Sequence, residues 1–377
     1  MIHNPGFLFT VMAFALVIGP LIFVHEMGHY LAGRLFGTRI DAFSIGFGPE
    51  IAGWTDRRGT HWKLSVFPLG GYVKFAGDMN AASEPDPAWL ELPPEERAMT
   101  LPGKPVWQRA IIVAAGPVVN LLLAVLILAG FAYAYGENVT PSVVGAVQSG
   151  SAAAKAGLRP GDRITAIAGR RIETYVDIRT YVVLRPAEQV TIDFERAGQT
   201  RHAVATIGTQ TFKDNFGNIS RIGLLGIAAA APVARPVSLA AAPFVGLREV
   251  RDLLGGQMDA IGQIITGRRS IDELGGPLKI AQYSGQQFSL GLEPLIGFIA
   301  MVSINLGFIN LLPIPMLDGG HLFFYAIEAV RRRPVEPDVQ EWAFRGGLAA
   351  ILALMLLVTF NDLASFGLWK NLAGLIG

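Results

Sequence analysis

An almost unbroken apolar run, Gly6 to Val24, leads directly into His25-Glu26-Met27-Gly28-His29, and no other feature constrains this chain as strongly. Ionisable side chains inside a stretch long enough to span a bilayer are costly and mark a functional site by default. Two histidines four apart project from one face of a helix, about one turn apart, so their imidazoles can share one zinc ion. Glu26 can then take a proton from the metal-bound water, the HExxH arrangement of metal-dependent peptide hydrolysis. A cleaved signal peptide is the competing account of the run. It lacks a basic leader and a small-residue cleavage site, so the segment is expected to be retained.

The rest of the chain agrees with a membrane setting. Of 377 residues, 51% are hydrophobic and only 16% charged, which points to a membrane protein with at least one water-exposed domain. The net charge of +1 gives no reason to expect nucleic acid as a partner. Cysteine is absent, so a zinc site must be made from histidines and carboxylates. Four segments reach spanning length, about 6–31, 106–135, 294–312 with a continuation past Pro313 and Pro315, and 343–366. The expected organisation is a first transmembrane helix in 1–35, a loop in 36–103, a second helix in 104–136 and a β-rich module in 137–210. A helical connector in 211–290, a broken third helix in 291–330, a basic loop in 331–342 and a fourth helix in 343–369 follow.

Basic residues orient the spans. Arg34, Arg39, Lys104, Arg109, Arg331, Arg332, Arg333 and Arg345 flank one set of ends, whereas Gly136 to Ala154 carries no Lys or Arg. The 36–103 and 331–342 loops are therefore expected on the cytoplasmic side, with both termini and 137–290 on the other. Within the first loop, Ser44 to Pro49 suits a re-entrant turn. Thr60 to Phe75 reads as a hairpin with edge strands, turning at Pro68 and Gly70-Gly71. Trp62 to Phe67 is the expected exposed edge, able to pair with an unwound substrate backbone. Asp78 to Glu96 is acidic and Pro-rich and reads as a mobile segment. In the β-rich module, Ala156-Gly157-Leu158-Arg159-Pro160-Gly161-Asp162 predicts a helix end at Gly157, a turn, and a strand from Arg163. This run resembles a circularly permuted bacterial PDZ domain, which implies a peptide ligand bound by strand addition. Pro236 to Gln287 has helical periodicity and is expected to form surface helices packed on that module.

A catalytic zinc needs a third protein ligand and an open position. Asp318, in Leu311-Leu312-Pro313-Ile314-Pro315-Met316-Leu317-Asp318-Gly319-Gly320, is the candidate. A carboxylate at membrane depth is costly unless something such as a metal holds it, and the two prolines break the helix beside it. Gly319 and Gly320 permit close helix approach. His25-Glu26-Met27-Gly28-His29 with Leu317-Asp318-Gly319 resembles the site-2 protease family of intramembrane zinc proteases. The PDZ-like insert makes the chain similar to the bacterial regulator-of-sigma-E proteases. Pro68-Leu69-Gly70-Gly71-Tyr72-Val73-Lys74 and Ala115-Gly116-Pro117-Val118-Val119-Asn120 also match that pattern. One clear PDZ signature stands where the best-known enterobacterial form has two.

The resemblance implies a polytopic α-helical membrane protein of about four transmembrane helices, with a cytoplasmic-side β-hairpin loop and an inserted periplasmic α+β PDZ-like domain. It implies zinc ligation by His25, His29 and Asp318, water activation by Glu26, and substrate or transition-state contact by Asn310. The Asn310 amide is chemically apt because it can donate to a developing oxyanion. Asn120 divides evenly between a site role and helix packing. His321 is not counted, since a fourth protein ligand would close the position that water needs. His3, His61 and His202 lack ligand spacing. The implied location is the bacterial inner membrane, multi-pass, with periplasmic termini. The implied substrates are single-span membrane proteins such as a pre-cleaved anti-sigma factor, or signal-peptide remnants. Two rival readings are a catalytically inactive PDZ scaffold with a structural zinc, and a transporter using the broken third helix. Neither accounts for HExxH and Leu-Asp-Gly together.

Overall fold

A computed structural model describes residues 6–78, 89, 91–213, 219–266 and 275–365. Most of the expected acidic, Pro-rich mobile segment falls at 79–88, outside the described residues. The chain divides into two units. One comprises Met1–Leu128, Gly246–Asp259 and Ser270–Gly377, the other Ala129–Val245 and Ala260–Arg269.

The first unit opens with α1 (Phe7–Leu35), continuous through Pro20 and the histidine motif. It stops in a Schellman arrangement: Gly37 takes φ +68°, Thr38 N–H donates to Gly33 O and Gly37 N–H to Arg34 O. β1 (Ile40–Thr55) and β2 (His61–Phe75) then pair, with α2 (Pro94–Arg97) and α3 (Val106–Tyr135) following. The pairing is more folded than a hairpin. Ala42 to Ile45 is flanked both by Gly71 to Lys74 and by His61 to Leu64, and the latter also pairs with Ala52 to Thr55. Trp62 to Leu64 is therefore an interior segment rather than the expected exposed edge. Positive φ at Gly46 and Gly48, where a Cβ on Gly46 would lie 2.8 Å from Phe67 O, lets β1 bend back and bury that segment. Among the described residues, Gly71 to Val73 has no strand on its outer side next to α1, where Val73 N–H meets the Glu26 carboxylate, and Phe75 beyond it bonds Asp78 through both its N–H and its O. Phe43, Val73, Phe75, Tyr30 and Ile112 form the buried cluster that fixes this sheet on α1 and α3.

The second unit contains β3 (Glu137–Val139), β4 (Val144–Val147), α4 (Ala152–Lys155), β5 (Arg163–Ile167), β6 (Arg170–Arg171) and α5 (Tyr175–Val183). β7 (Gln189–Arg196), β8 (Gln199–Thr206), β9 (Gly208–Lys213), β10 (Ile219–Leu224), β11 (Ile227–Ala229) and β12 (Val233–Arg235) complete it. A four-stranded antiparallel sheet runs β6-β5-β7-β8, and its inward residues Ile164, Ile167, Ile192 and Phe194 pack with Ile178 and Val182 of α5. α5 starts in a capping box, in which Asp177 N–H donates to Thr174 Oγ1 and the Asp177 carboxylate accepts from Thr174 N–H. The Gly161-Asp162 turn is locked by the buried Asp162, which accepts two 2.7 Å bonds from Arg196 and one from Arg159 N–H. Burial alone would raise this carboxyl; the Arg196 and Arg159 bonds outweigh it and hold it below the ordinary carboxylate range. The module extends beyond the expected end at 210. β11 pairs with β4 and β12 with β3, so residues up to Arg235 are needed to close it. Strand pairs separated by about eighty residues leave no local signature at the boundary.

The chain returns through α6 (Ala242–Ile265), α7 (Pro277–Leu290), α8 (Leu292–Leu311), α9 (Asp318–Arg331) and α10 (Pro337–Ser365). Among the described residues, four helices are long and apolar enough to cross a membrane: Phe7–Leu35, Val106–Tyr135, Leu292–Leu311 and Asp338–Leu363. The shortest has 20 residues, about 30 Å at 1.5 Å per residue, the thickness of a hydrocarbon core. Exposed Leu122, Leu126, Leu352, Leu356 and Phe360 suit lipid rather than water. Within the first unit the connector helices have packing partners that periodicity did not name. Val250, Leu253 and Leu254 of α6 pack on Leu121, Ala124 and Val125 of α3 and Ile304 of α8, and α7 stacks Phe288 on Phe9 of α1. Their apolar faces match spanning helices that themselves need covering, a choice periodicity alone cannot make.

Candidate metal centre

The centre is built where α1, α3 and the break between α8 and α9 meet. In the break, Pro313 and Pro315 withhold two amide donors, and Met316 takes φ +80°, a strained value for a residue with a Cβ. α9 then begins at Asp318, after Leu317, an N-cap residue with no side-chain capping bond. A Cβ on Gly319 would lie 2.2 Å from Leu312 O, and one on Gly320 2.4 Å from Ile314 O. Gly319 therefore admits the end of α8, whose Leu311 O would lie 2.4 Å from its Cβ, and Gly320 admits the backbone of the break. At its far end α9 is held by Glu328, which accepts a 2.6 Å bond from Arg109 of α3, while the guanidinium lies 4.8 Å from the Tyr325 ring.

Asp318 thereby reaches the histidine pair. His25 Nε2 lies 3.2 Å from Asp318 Oδ2, His29 Nε2 lies 3.5 Å from Asp318 Oδ1, and the two Nε2 atoms are 3.3 Å apart. These three residues form the one cluster of possible metal ligands among the described residues. A tetrahedral zinc with nitrogen and oxygen ligands at about 2.0–2.1 Å requires ligand atoms about 3.3 Å apart. The donor set and the spacing fit such an ion and leave a fourth position open.

α3 forms the wall behind the histidines. His29 Nδ1–H donates to Ile112 O at 2.9 Å, and the Asn120 amide lies 3.1 Å from His25 Nδ1. A Cβ on Gly116, between them, would fall 2.2 Å from His29 Nε2, and one on Gly28 would fall 2.5 Å from Ala115 O. α1 and α3 therefore touch backbone to backbone at the site. Glu26 is buried, and a Cβ on Gly71 of β2 would lie 3.0 Å from its Cγ. The open edge of the small sheet thus borders Glu26.

Not every expected residue joins the cluster. Asn310 sits half-buried on the last turn of α8, and its side chain makes no hydrogen bond among the described residues. His321 stacks near Phe344 of α10, with ring centroids 4.9 Å apart. His61 pairs with Glu50 at 2.8 Å and His202 with Asp193 at 2.7 Å, away from the cluster, and His3 lies outside the described residues. Sequence reasoning missed the Ile112 carbonyl, which no side chain announces. It undervalued Gly116 and Asn120, whose four-residue spacing puts them on one helical face.

The profile described as "Peptidase family M50" matches residues 13–354. A protein of Agrobacterium fabrum named "Putative zinc metalloprotease Atu1380" is 47% identical, over 94% of this chain and 96% of its own. "Metalloprotease MmpA" of Caulobacter vibrioides is 38% identical, over 98% and 99% respectively. Among solved structures, the PDZ domain of an SdrC-like protein from Listeria monocytogenes matches 25% of this chain and 90% of its own at 20% identity and a TM-score of 0.19. With a match spanning nearly its whole length and relatives alike from end to end, this chain belongs to peptidase family M50 and is a membrane metalloprotease.

Proposed function

We propose that this chain is a zinc-dependent intramembrane endopeptidase that cuts single-span membrane proteins at or near the bilayer. The observation that carries the reading is the cluster of His25, His29 and the Asp318 carboxylate, with the two Nε2 atoms 3.3 Å apart and each 3.2 to 3.5 Å from one carboxylate oxygen, at a helix break beside the HExxH glutamate. His25 and His29 would hold the metal through Nε2 and Asp318 through its carboxylate. Zinc, when bound, supplies Lewis acidity toward the attacking water and the scissile carbonyl. Glu26 accepts the proton of the attacking water and later delivers it to the leaving amine. Asn310, with an uncommitted amide, is assigned to the substrate carbonyl. Purified protein should cut a single-span reporter, lose that activity to a chelator and regain it with zinc. A zinc-loaded preparation that leaves every such reporter intact would overturn the reading.

The substrate must be extended to be cut, because a helical peptide bond is shielded by its own hydrogen bonds. No strand lies on the outer side of Gly71 to Val73, which borders Glu26 and offers main-chain partners to an extended segment, and strand addition tolerates varied sequences. A photo-crosslinker at Tyr72 should capture the reporter in a Glu26→Gln background, and one at the interior Lys63 should not. Equal capture at both positions would remove the edge from the binding path. In the second unit, β11 pairs on one side with β4, and a cavity of about 240 Å³ beside it is lined by Ile178, Val182, Leu225 and Ile227. This is where we place a peptide ligand of the PDZ-like domain.

By its resemblance to the regulator-of-sigma-E proteases, the physiological substrate class is a pre-cleaved transmembrane anti-sigma factor, with signal-peptide remnants a further candidate. The location proposed is the bacterial inner membrane, with periplasmic termini and the small sheet on the cytoplasmic side, following the skew of basic residues. The chain has no cysteine, so single-cysteine labelling is unambiguous. Arg58→Cys should be protected from an impermeant thiol reagent in intact cells, and Gln199→Cys should react. The inverse pattern would reverse every loop.

A further inference from the structure

We propose that Asn120 is a positioning residue that fixes which ring nitrogen of His25 faces the metal, an assignment that rests on the zinc reading of the histidine-aspartate triangle. Zinc ligation through Nε2 needs a lone pair there, so in the neutral ring the proton sits on Nδ1 and must be met by an acceptor. For His29 that acceptor is Ile112 O, at 2.9 Å. Among the described residues, the polar group that faces His25 Nδ1 is the Asn120 side-chain amide, whose Nδ2 lies 3.1 Å away. Asn120 is fully buried, and its Oδ1 has no hydrogen-bond partner. Turned so that Oδ1 accepts the Nδ1–H, the amide pairs that oxygen and holds the tautomer that binds metal.

The helix geometry supports a built arrangement. Ile112, Gly116 and Asn120 lie on one stripe of α3 at four-residue spacing, and His25 and His29 lie on one stripe of α1. α3 runs antiparallel to α1 here, so the carbonyl meets the later histidine and the amide the earlier one. Gly116, between them, leaves the space that His29 Nε2 occupies. The stripe itself is pinned from α8, where buried Ser303 Oγ–H donates to Asn120 O at 2.8 Å.

Packing and positioning predict opposite orders for two substitutions. Asn120→Asp keeps an acceptor at Nδ1, whereas Asn120→Leu keeps the volume and removes it. A positioning role requires Asn120→Asp to hold zinc within a few-fold of the parent, and Asn120→Leu to bind roughly 10–100-fold more weakly. The readout is zinc retained by the purified full-length protein against a graded chelator, with thermal unfolding of the metal-free forms as the folding control. Asn120→Ala serves if the leucine variant does not fold, with the same order expected. Wild-type zinc retention in the apolar variant, or loss confined to Asn120→Asp, overturns the assignment. His29→Ala run in parallel separates the two levels. Zinc lost there and kept in Asn120→Leu sinks only the Asn120 role, while zinc kept in both sinks the triangle as the metal site.

Discussion

Glu26→Gln should leave zinc in place and abolish peptide hydrolysis. Glutamine preserves the length and volume of the side chain, so the packing of Gly71 of β2 against it, where a Cβ would lie 3.0 Å from Glu26 Cγ, is unchanged. The amide nitrogen cannot accept a proton and the amide oxygen is a poor base, so water activation and leaving-group protonation both fail. General acid–base groups contribute roughly 10²–10⁴-fold, so kcat should fall by at least that much with little change in KM. Metal content, far-UV circular dichroism and reporter cleavage on the same preparation distinguish this from misfolding. Normal turnover in zinc-loaded Glu26→Gln would end the proposed role. Loss of zinc together with activity would instead make Glu26 part of the metal's support.

Gly116→Ala should empty the site without unfolding the helix that carries it. The added Cβ would lie 2.2 Å from His29 Nε2, the atom assigned to the metal, and 2.6 Å from its Cε1. His29 cannot retreat by a simple rotation, because its Nδ1–H is held by Ile112 O on the same helix. Alanine is the better helix former by about 1 kcal/mol, so the substitution should, if anything, stabilise α3 locally. Zinc affinity should drop by roughly 100-fold or more, the scale seen when ligand support is lost, and activity should follow. Gly130→Ala, on the same helix with no atom within 4 Å of its Cβ, is the control and should retain metal. A Gly116→Ala protein with parental zinc affinity would show that α1 and α3 can separate at this point, and the wall described for the site would be wrong.

How far the sequence could be read depended on the range of the interaction. The α-helical periodicity of His25 and His29, the spanning lengths and the Gly157 and Gly161 turns are local, and all are present in the structure near the expected residues. The strand expected from Arg163 likewise begins there as β5, because the turn chemistry before it acts over a few neighbours. The sheet of the first unit departs from expectation because bulges and positive-φ glycines fold β1 back on itself, which moves the open edge from Trp62 to Gly71. The β-rich module ends later than expected because its closing strands pair with partners far back in the chain.

The sequence alone determined the chemistry that could occur: two histidines on one helical face, a carboxylate placed after a proline-broken span, and no thiol to compete for the metal. Those follow from residue type and from spacing within a single element. Only the tertiary structure decided that the Asp318 carboxylate comes within 3.2 to 3.5 Å of both Nε2 atoms, and that Ile112 O and the Asn120 amide stand behind the imidazoles. Such contacts join residues 83 to nearly 300 positions apart, as His29 meets Ile112 and His25 meets Asp318. They exist because Gly28 and Gly116 let two helix backbones touch. Close packing is a property of both surfaces at once, and neither helix carries it alone.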